Sequence, residues 1–220
     1  MKRSAFFVSL SALAAMSLPA NAETRDYDLP EFNSIDISAG LMLVAKAGGA
    51  QSVSVETSDG DFTDLKIKVE DGVLVASREW NRLRWHQKKA GYKVIVTARE
   101  LTGIDASSGS NSTLTEITAK RFNVDISSGS FVTMNGKSDA CTVDLSSGAN
   151  LNAKEFVCDS ANIDVSSGGH GEITVLVSVV GDASSGGHVS VYGNPDNVNI
   201  DRSSGGRIKL KNVSYQATRD

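Results

Sequence analysis

Asp125-Ile126-Ser127-Ser128-Gly129 is followed nineteen residues later by Asp144-Leu145-Ser146-Ser147-Gly148, and twenty residues after that by Asp164-Val165-Ser166-Ser167-Gly168. The same Asp-x-Ser-Ser-Gly frame extends in both directions, at Asp105 to Gly109, Asp182 to Gly186 and Asp201 to Gly205. The six copies start at steps of 20, 19, 20, 18 and 19 residues, and a degenerate seventh, Asp36-Ile37-Ser38-Ala39-Gly40, lies far upstream. A fixed period of this length marks one structural unit stacked on itself.

The columns of the repeat say what the unit is. Ile104, Val124, Val143 and Ile163 precede the aspartate, and Ala106, Ile126, Leu145 and Val165 follow it. Apolar-Asp-apolar is strand alternation, with the carboxylate outward. Seven and nine residues past the aspartate come Val132 and Met134, Leu151 and Ala153, Val189 and Val191, with Thr133, Asn152 and Ser190 between them. This is a second strand. Ser-Ser-Gly joins the two as a corner, and Gly109, Gly129, Gly148, Gly168, Gly186 and Gly205 supply its positive φ. The expected fold is all-β: a parallel β-helix-like solenoid of about 19–20 residues per rung, with rungs about 4.8 Å apart. The drift in step and the lack of a hexapeptide beat favour the right-handed form. On the last rung Arg202 falls in an inward column, and Arg207, Lys209 and Lys211 follow it, as protection of an open edge.

Residues 23–103 alternate with a different rhythm, in Leu41–Ala45, Ser52–Thr57, Leu65–Glu70, Val73–Ser77 and Tyr92–Ala98, with Asp71-Gly72 as a two-residue hairpin turn. They are expected to form a β layer continuous with the solenoid and capping it. Residues 104–212 are then the repeats and 213–220 a tail. The first 22 residues read as a cleavable leader: Lys2 and Arg3, an apolar stretch from Ala5 to Leu18, and Ala20-Asn21-Ala22 as the cleavage site. Its removal leaves 198 residues, with 20 cations against 26 acids. That balance argues against nucleic acid as a partner. No further apolar run is long enough to span a bilayer. The mature chain is expected in the periplasm or at the cell surface.

Three residue sets could carry chemistry. The column Asp105, Asp125, Asp144, Asp164, Asp182 and Asp201 could be a calcium ladder, but each carboxylate is better read as accepting hydrogen bonds from its own Ser-Ser-Gly turn. His170 and His188 share a column in consecutive rungs. Arg207 continues that column, which disfavours a metal, so they read as an exposed polar ladder. The segment Arg78–Lys89 is the one compositional outlier. Trp80, Arg82, Arg84, Trp85, Lys88 and Lys89 fit recognition of an anionic glycan, an envelope component or another protein, or else cover the solenoid end.

Cys141 and Cys158 stand three and six residues before their aspartates, in adjacent rungs but offset along the strand. Extended geometry puts their Cα atoms up to about 11 Å apart, and a disulfide needs less than about 7 Å. Parity turns Cys141 inward and Cys158 outward. Two reduced cysteines are expected, unless a corner lies between the two positions.

The opening Phe32-x-x-Ile35-Asp36-Ile37-Ser38-Ala39-Gly40, the hairpin Lys66-Ile67-Lys68-Val69-x-Asp71-Gly72-x-Leu74 and the Asp-x-Ser-Ser-Gly rungs together resemble the GIN domain, known as the head of autotransporter adhesins. The resemblance spans about 33–210. It implies an exported parallel β-helix-like protein and carries no catalytic, cofactor or metal residues. The leading reading is a non-enzymatic envelope protein whose solenoid presents a binding or adhesive surface. The alternatives are a carbohydrate-active β-helix enzyme such as a polysaccharide lyase, and a purely structural periplasmic protein. An enzyme needs an irregular cluster of acids and bases on one face, and the columns here are regular.

Overall fold

The structure, a computed structural model, describes residues 23–57, 62–79 and 91–211. They fold into fifteen strands: β1 (Glu23–Tyr27), β2 (Ser34–Ile37), β3 (Met42–Ala47), β4 (Ser52–Thr57), β5 (Leu65–Glu70), β6 (Val73–Arg78), β7 (Tyr92–Ala98), β8 (Gly103–Ala106), β9 (Asn111–Ile126), β10 (Phe131–Leu145), β11 (Asn150–Val165), β12 (His170–Ala183), β13 (His188–Tyr192), β14 (Asn197–Arg202) and β15 (Arg207–Lys211). The chain is all-β, a solenoid of about five turns.

From β9 onward each rung pairs in parallel with the next, and the aspartates are in register: Asp105 with Asp125, then Asp144, Asp164, Asp182 and Asp201. The alternation sends the expected columns inward. Ile104, Val124, Val143 and Ile163 are buried, as are Val132 with Met134 and Leu151 with Ala153. Each fully buried Val, Leu or Ile side chain contributes about 1.5–3 kcal/mol, so the repeated columns are the main source of stability. On the last rung the pattern opens: Val198 and Leu210 are exposed and Arg202 reaches solvent, because no rung follows among the described residues.

The N-terminal strands do not stack in chain order. The rung built by β2 and β3 lies inside the solenoid, with β8 and β9 on one side and β6 and β7 on the other. Asp36 pairs with Asp105, so the degenerate seventh copy is a true rung. Antiparallel strands then close that end: β5 on β6 across the Asp71-Gly72 turn, β4 on β7, and β1 on β4. Antiparallel pairing ends the parallel stack, since it reverses the chain at the edge.

The Ser-Ser-Gly corners are type I′ turns. In each, the first serine accepts from the residue after the glycine, as Ser146 does from the Ala149 N–H at 2.9 Å. Both central residues have positive φ, 49° at Ser147 and 74° at Gly148. The glycine N–H donates to the second serine's carbonyl one rung on, Gly148 to Ser167 at 3.1 Å. No hydrogen bond from a turn reaches a column carboxylate among the described residues. The reading of the aspartates as caps of their own turns is thereby corrected: main-chain groups alone satisfy the corner.

The cysteines also correct the expectation. Cys141 and Cys158 are joined by a disulfide with Cα atoms 6.1 Å apart, and Cys158 is fully buried. Cys158 pairs in register with Ser138, and both Ser138 and Cys141 are buried, with exposed Asp139 and half-buried Ala140 between them. Strict alternation cannot put residues three apart on one side. The chain therefore turns at Asp139–Ala140, and at Asp159–Ser160 in the next rung. This corner folds the offset into a diagonal inside the solenoid.

Candidate functional site

Two outward faces flank the Ser-Ser-Gly corner. On one, seven aspartates from Asp36 to Asp201 stand in one column, a rung apart. Burial, then the charges of Asp36 and Asp125, push the Asp105 carboxyl up to about 6. Burial and the neighbours Asp125 and Asp164 raise Asp144, and burial raises Asp36. Asp36 and Asp125 flank Asp105, and Asp125 and Asp164 flank Asp144, so like charge on either side disfavours ionisation of these two carboxyls. Among the described residues no three His, Cys, Asp or Glu side chains converge as metal ligands.

The other face carries three outward columns on β9 to β15. At its C-terminal end they form three rows: His170, Glu172, Thr174; His188, Ser190, Tyr192; and Arg207, Lys209, Lys211. His170 and Glu172, His188 and Ser190, and Arg207, Lys209 and Lys211 line a groove of about 330 Å³, which Phe131 and Asn150 continue toward the middle rungs. The imidazoles of His170 and His188 stack with centroids 5.4 Å apart and planes at 9°. His170 Nδ1 lies 2.8 Å from the Gly168 carbonyl, and His188 Nδ1 2.6 Å from that of Gly186. A carbonyl only accepts, so Nδ1 carries the proton and Nε2 is left for the groove. A shared zinc would need both nitrogens within about 2.1 Å of it, closer together than parallel rings a rung apart allow.

Glu172, the acid that lines the groove, is already engaged. The Tyr192 hydroxyl donates to Glu172 at 2.9 Å, and this bond raises the phenol's pKa. The Lys154 ammonium sits 4.7 Å from the Tyr192 ring centroid. Arg207, Lys209 and Lys211 form no ion pair among the described residues.

Residues 31–195 match the family described as "Putative auto-transporter adhesin, head GIN domain". The chain belongs to this GIN-domain family. Solved structures share its fold. A putative adhesin from Bacteroides fragilis NCTC 9343 superposes with a TM-score of 0.67 at 16% identity, over 88% of this chain and 98% of that one. A putative adhesin from Parabacteroides distasonis ATCC 8503 gives 0.52 at 12% identity, over 88% and 97%. A putative lipid binding protein from the same Parabacteroides strain gives 0.50 at 15% identity, over 87% and 97%. No curated protein matches the chain in sequence.

In this GIN domain Gly109, Gly129, Gly148, Gly168, Gly186 and Gly205 stand at the turns between the two faces, each with positive φ. Trp80, Arg82, Arg84, Trp85, Lys88 and Lys89 lie outside the described residues. The chain enters that stretch from Glu79 and leaves it at Gly91, between β6 and β7, where other rungs carry the Ser-Ser-Gly corner. At its base the Arg78 guanidinium lies over the Tyr92 ring at 4.6 Å, pairs with Asp64 at 2.9 Å and donates to the Ala39 carbonyl. The entry is thereby pinned to the neighbouring corner. Sequence reading took the cations of β15 only as edge protection and did not see the groove. The available signal was their two-residue spacing, which puts all three on the same side as His188.

No helix among the described residues is long and apolar enough to cross a membrane.

Proposed function

We propose that this GIN domain is an exported, non-enzymatic cell-envelope protein whose solenoid faces serve as a binding or adhesion surface. The observation that carries this reading is the regularity of the outward columns. The aspartate column repeats one residue in every rung and the other outward positions stay in register from rung to rung, which suits contact along a face, and no acid, base and nucleophile converge as catalysis needs among the described residues. The Cys141–Cys158 disulfide supports export, because such bonds persist in oxidising compartments. The Trp80–Lys89 segment offers a second contact, with indoles for stacking and guanidinium groups for anions. Periplasmic and surface exposure are both compatible with the leader.

Protease shaving of intact cells tests the reading. Loss of the folded domain from shaved cells, with a cytoplasmic marker intact, is the expected result for a surface adhesin. Recovery of the chain from the cytosol with residues 1–22 attached would overturn it.

A further inference from the structure

We propose that the groove on the last three rungs binds an extended acidic polysaccharide, one with a carboxylate on successive sugar units, such as a uronate polymer. This deepens the binding-surface reading and rests on it. Arg207, Lys209 and Lys211 follow one another on one strand at two-residue steps, about 6.6 Å apart. A ligand with one negative group would leave two of them unused, whereas a chain with regularly spaced carboxylates engages all three. Glu172, the acid that lines the groove, is held by Tyr192, and among the described residues the three cations have no ion-pair partner to displace.

The rest of the groove suits sugar better than a bare anion. His170 and His188 present a stacked pair whose Nε2 atoms are fixed toward the groove by Nδ1–H bonds to the turn carbonyls. They can accept from ring hydroxyls when neutral. Phe131 is 41% exposed in the same column and offers an apolar face to a sugar ring. The Arg207 guanidinium is suited to grip a carboxylate in bidentate fashion. A nucleic-acid duplex fits less well: the chain has a formal charge of −4, and the column of seven aspartates on the adjoining face repels a broad polyanion.

Edge protection explains charge on β15, and glutamate can supply it as well as lysine. The test uses that difference. Retardation of the purified protein is measured in native gels containing polygalacturonate, dextran or duplex DNA. Retardation by polygalacturonate alone is expected. Arg207→Glu with Lys209→Glu should weaken it at least tenfold while the oligomeric state and the melting temperature stay unchanged. Lys120→Glu with Lys137→Glu makes the same charge change on exposed positions elsewhere and should leave binding intact. If the glutamate pair loses its melting transition, Lys209→Gln with Lys211→Gln gives the same reading. No retardation of the wild type, equal retardation by DNA, or equal loss in both charge-reversed pairs would overturn the proposal. The measurement needs no cells, so its outcome is independent of whether the protein is exported.

Discussion

Cys158 pairs in register with Ser138, yet its sulfur is bonded to Cys141, three residues further along the neighbouring rung. The bond spans the inside of a corner and closes a loop with a sequence separation of 17. Loop-closure entropy for that length corresponds to about 3 kcal/mol. Thiol titration in denaturant is expected to find no free thiol in the oxidised protein. Cys141→Ala with Cys158→Ala should lower stability by about that amount. Two free thiols would place the corner elsewhere.

The turn geometry gives a second prediction. A Cβ on Gly148 would meet nothing within 4 Å, yet its φ of 74° lies in the left-handed region. Gly148→Ala should therefore destabilise through the backbone alone, by about 1–2 kcal/mol. Ser147 also has positive φ, and asparagine tolerates that conformation better than serine. Ser147→Asn should hold or raise the melting temperature. At the neighbouring column the reason for glycine is different. A Cβ on Gly187 would lie 2.6 Å from the Val165 carbonyl oxygen, so Gly187→Ala should displace the rung and cost more than Gly148→Ala.

The aspartate column should invert the usual acid response. The folded Asp105 pKa is raised to about 6, above the unfolded value near 3.8, so the folded state binds protons more readily. Stability then falls as pH rises through 6, and the penalty is relieved as pH drops from 7 toward 4. Asp36 and Asp144 shift in the same direction. The melting temperature should rise between pH 7.5 and pH 5. Asp105→Asn should raise it at pH 7.5 and flatten the profile. A fall on acidification, unaltered in the variant, would show that burial and the flanking carboxylates do not raise the Asp105 pKa.

Ser112 is fully buried in register between Leu43 and Val132, and its hydroxyl has no hydrogen-bond partner. Ser112→Ala removes an unsatisfied buried group with little change of shape, so a gain of about 1 kcal/mol is expected from denaturant melts. A loss of stability would mean that the hydroxyl is hydrogen-bonded in solution.

Register itself is testable. Val143→Asp or Ile173→Asp buries an unpaired charge and should be severely destabilising, whereas Asn152→Asp on the outward column should be mild. Equal effects would contradict the alternation.

Local chemistry explains what could be read early. Asp-x-Ser-Ser-Gly repeats at a near-constant step, and a two-residue strand period on either side of a positive-φ corner leaves one choice of inward columns, Val143 and Leu145 on one side and Val132 and Met134 on the other. The Asp71-Gly72 hairpin was legible for the same reason, since the turn demands those φ values at that place. The corner beside the disulfide had no such mark. Asp139 and Ala140 bend the chain without glycine or proline, so parity counted along the strand ran straight through and put Cys158 outside. The insertion of the β2–β3 rung between β6–β7 and β8–β9 was equally silent, because stacking order depends on which edge a finished rung finds free. The groove likewise exists only in three dimensions: His170, His188 and Arg207 lie eighteen and nineteen residues apart and become neighbours through the pairing of rungs. A sequence determines what each rung presents to its neighbours, through short-range sterics. Only the folded stack decides which rungs those neighbours are, because that choice is made by long-range pairing of edges that look alike from within one rung.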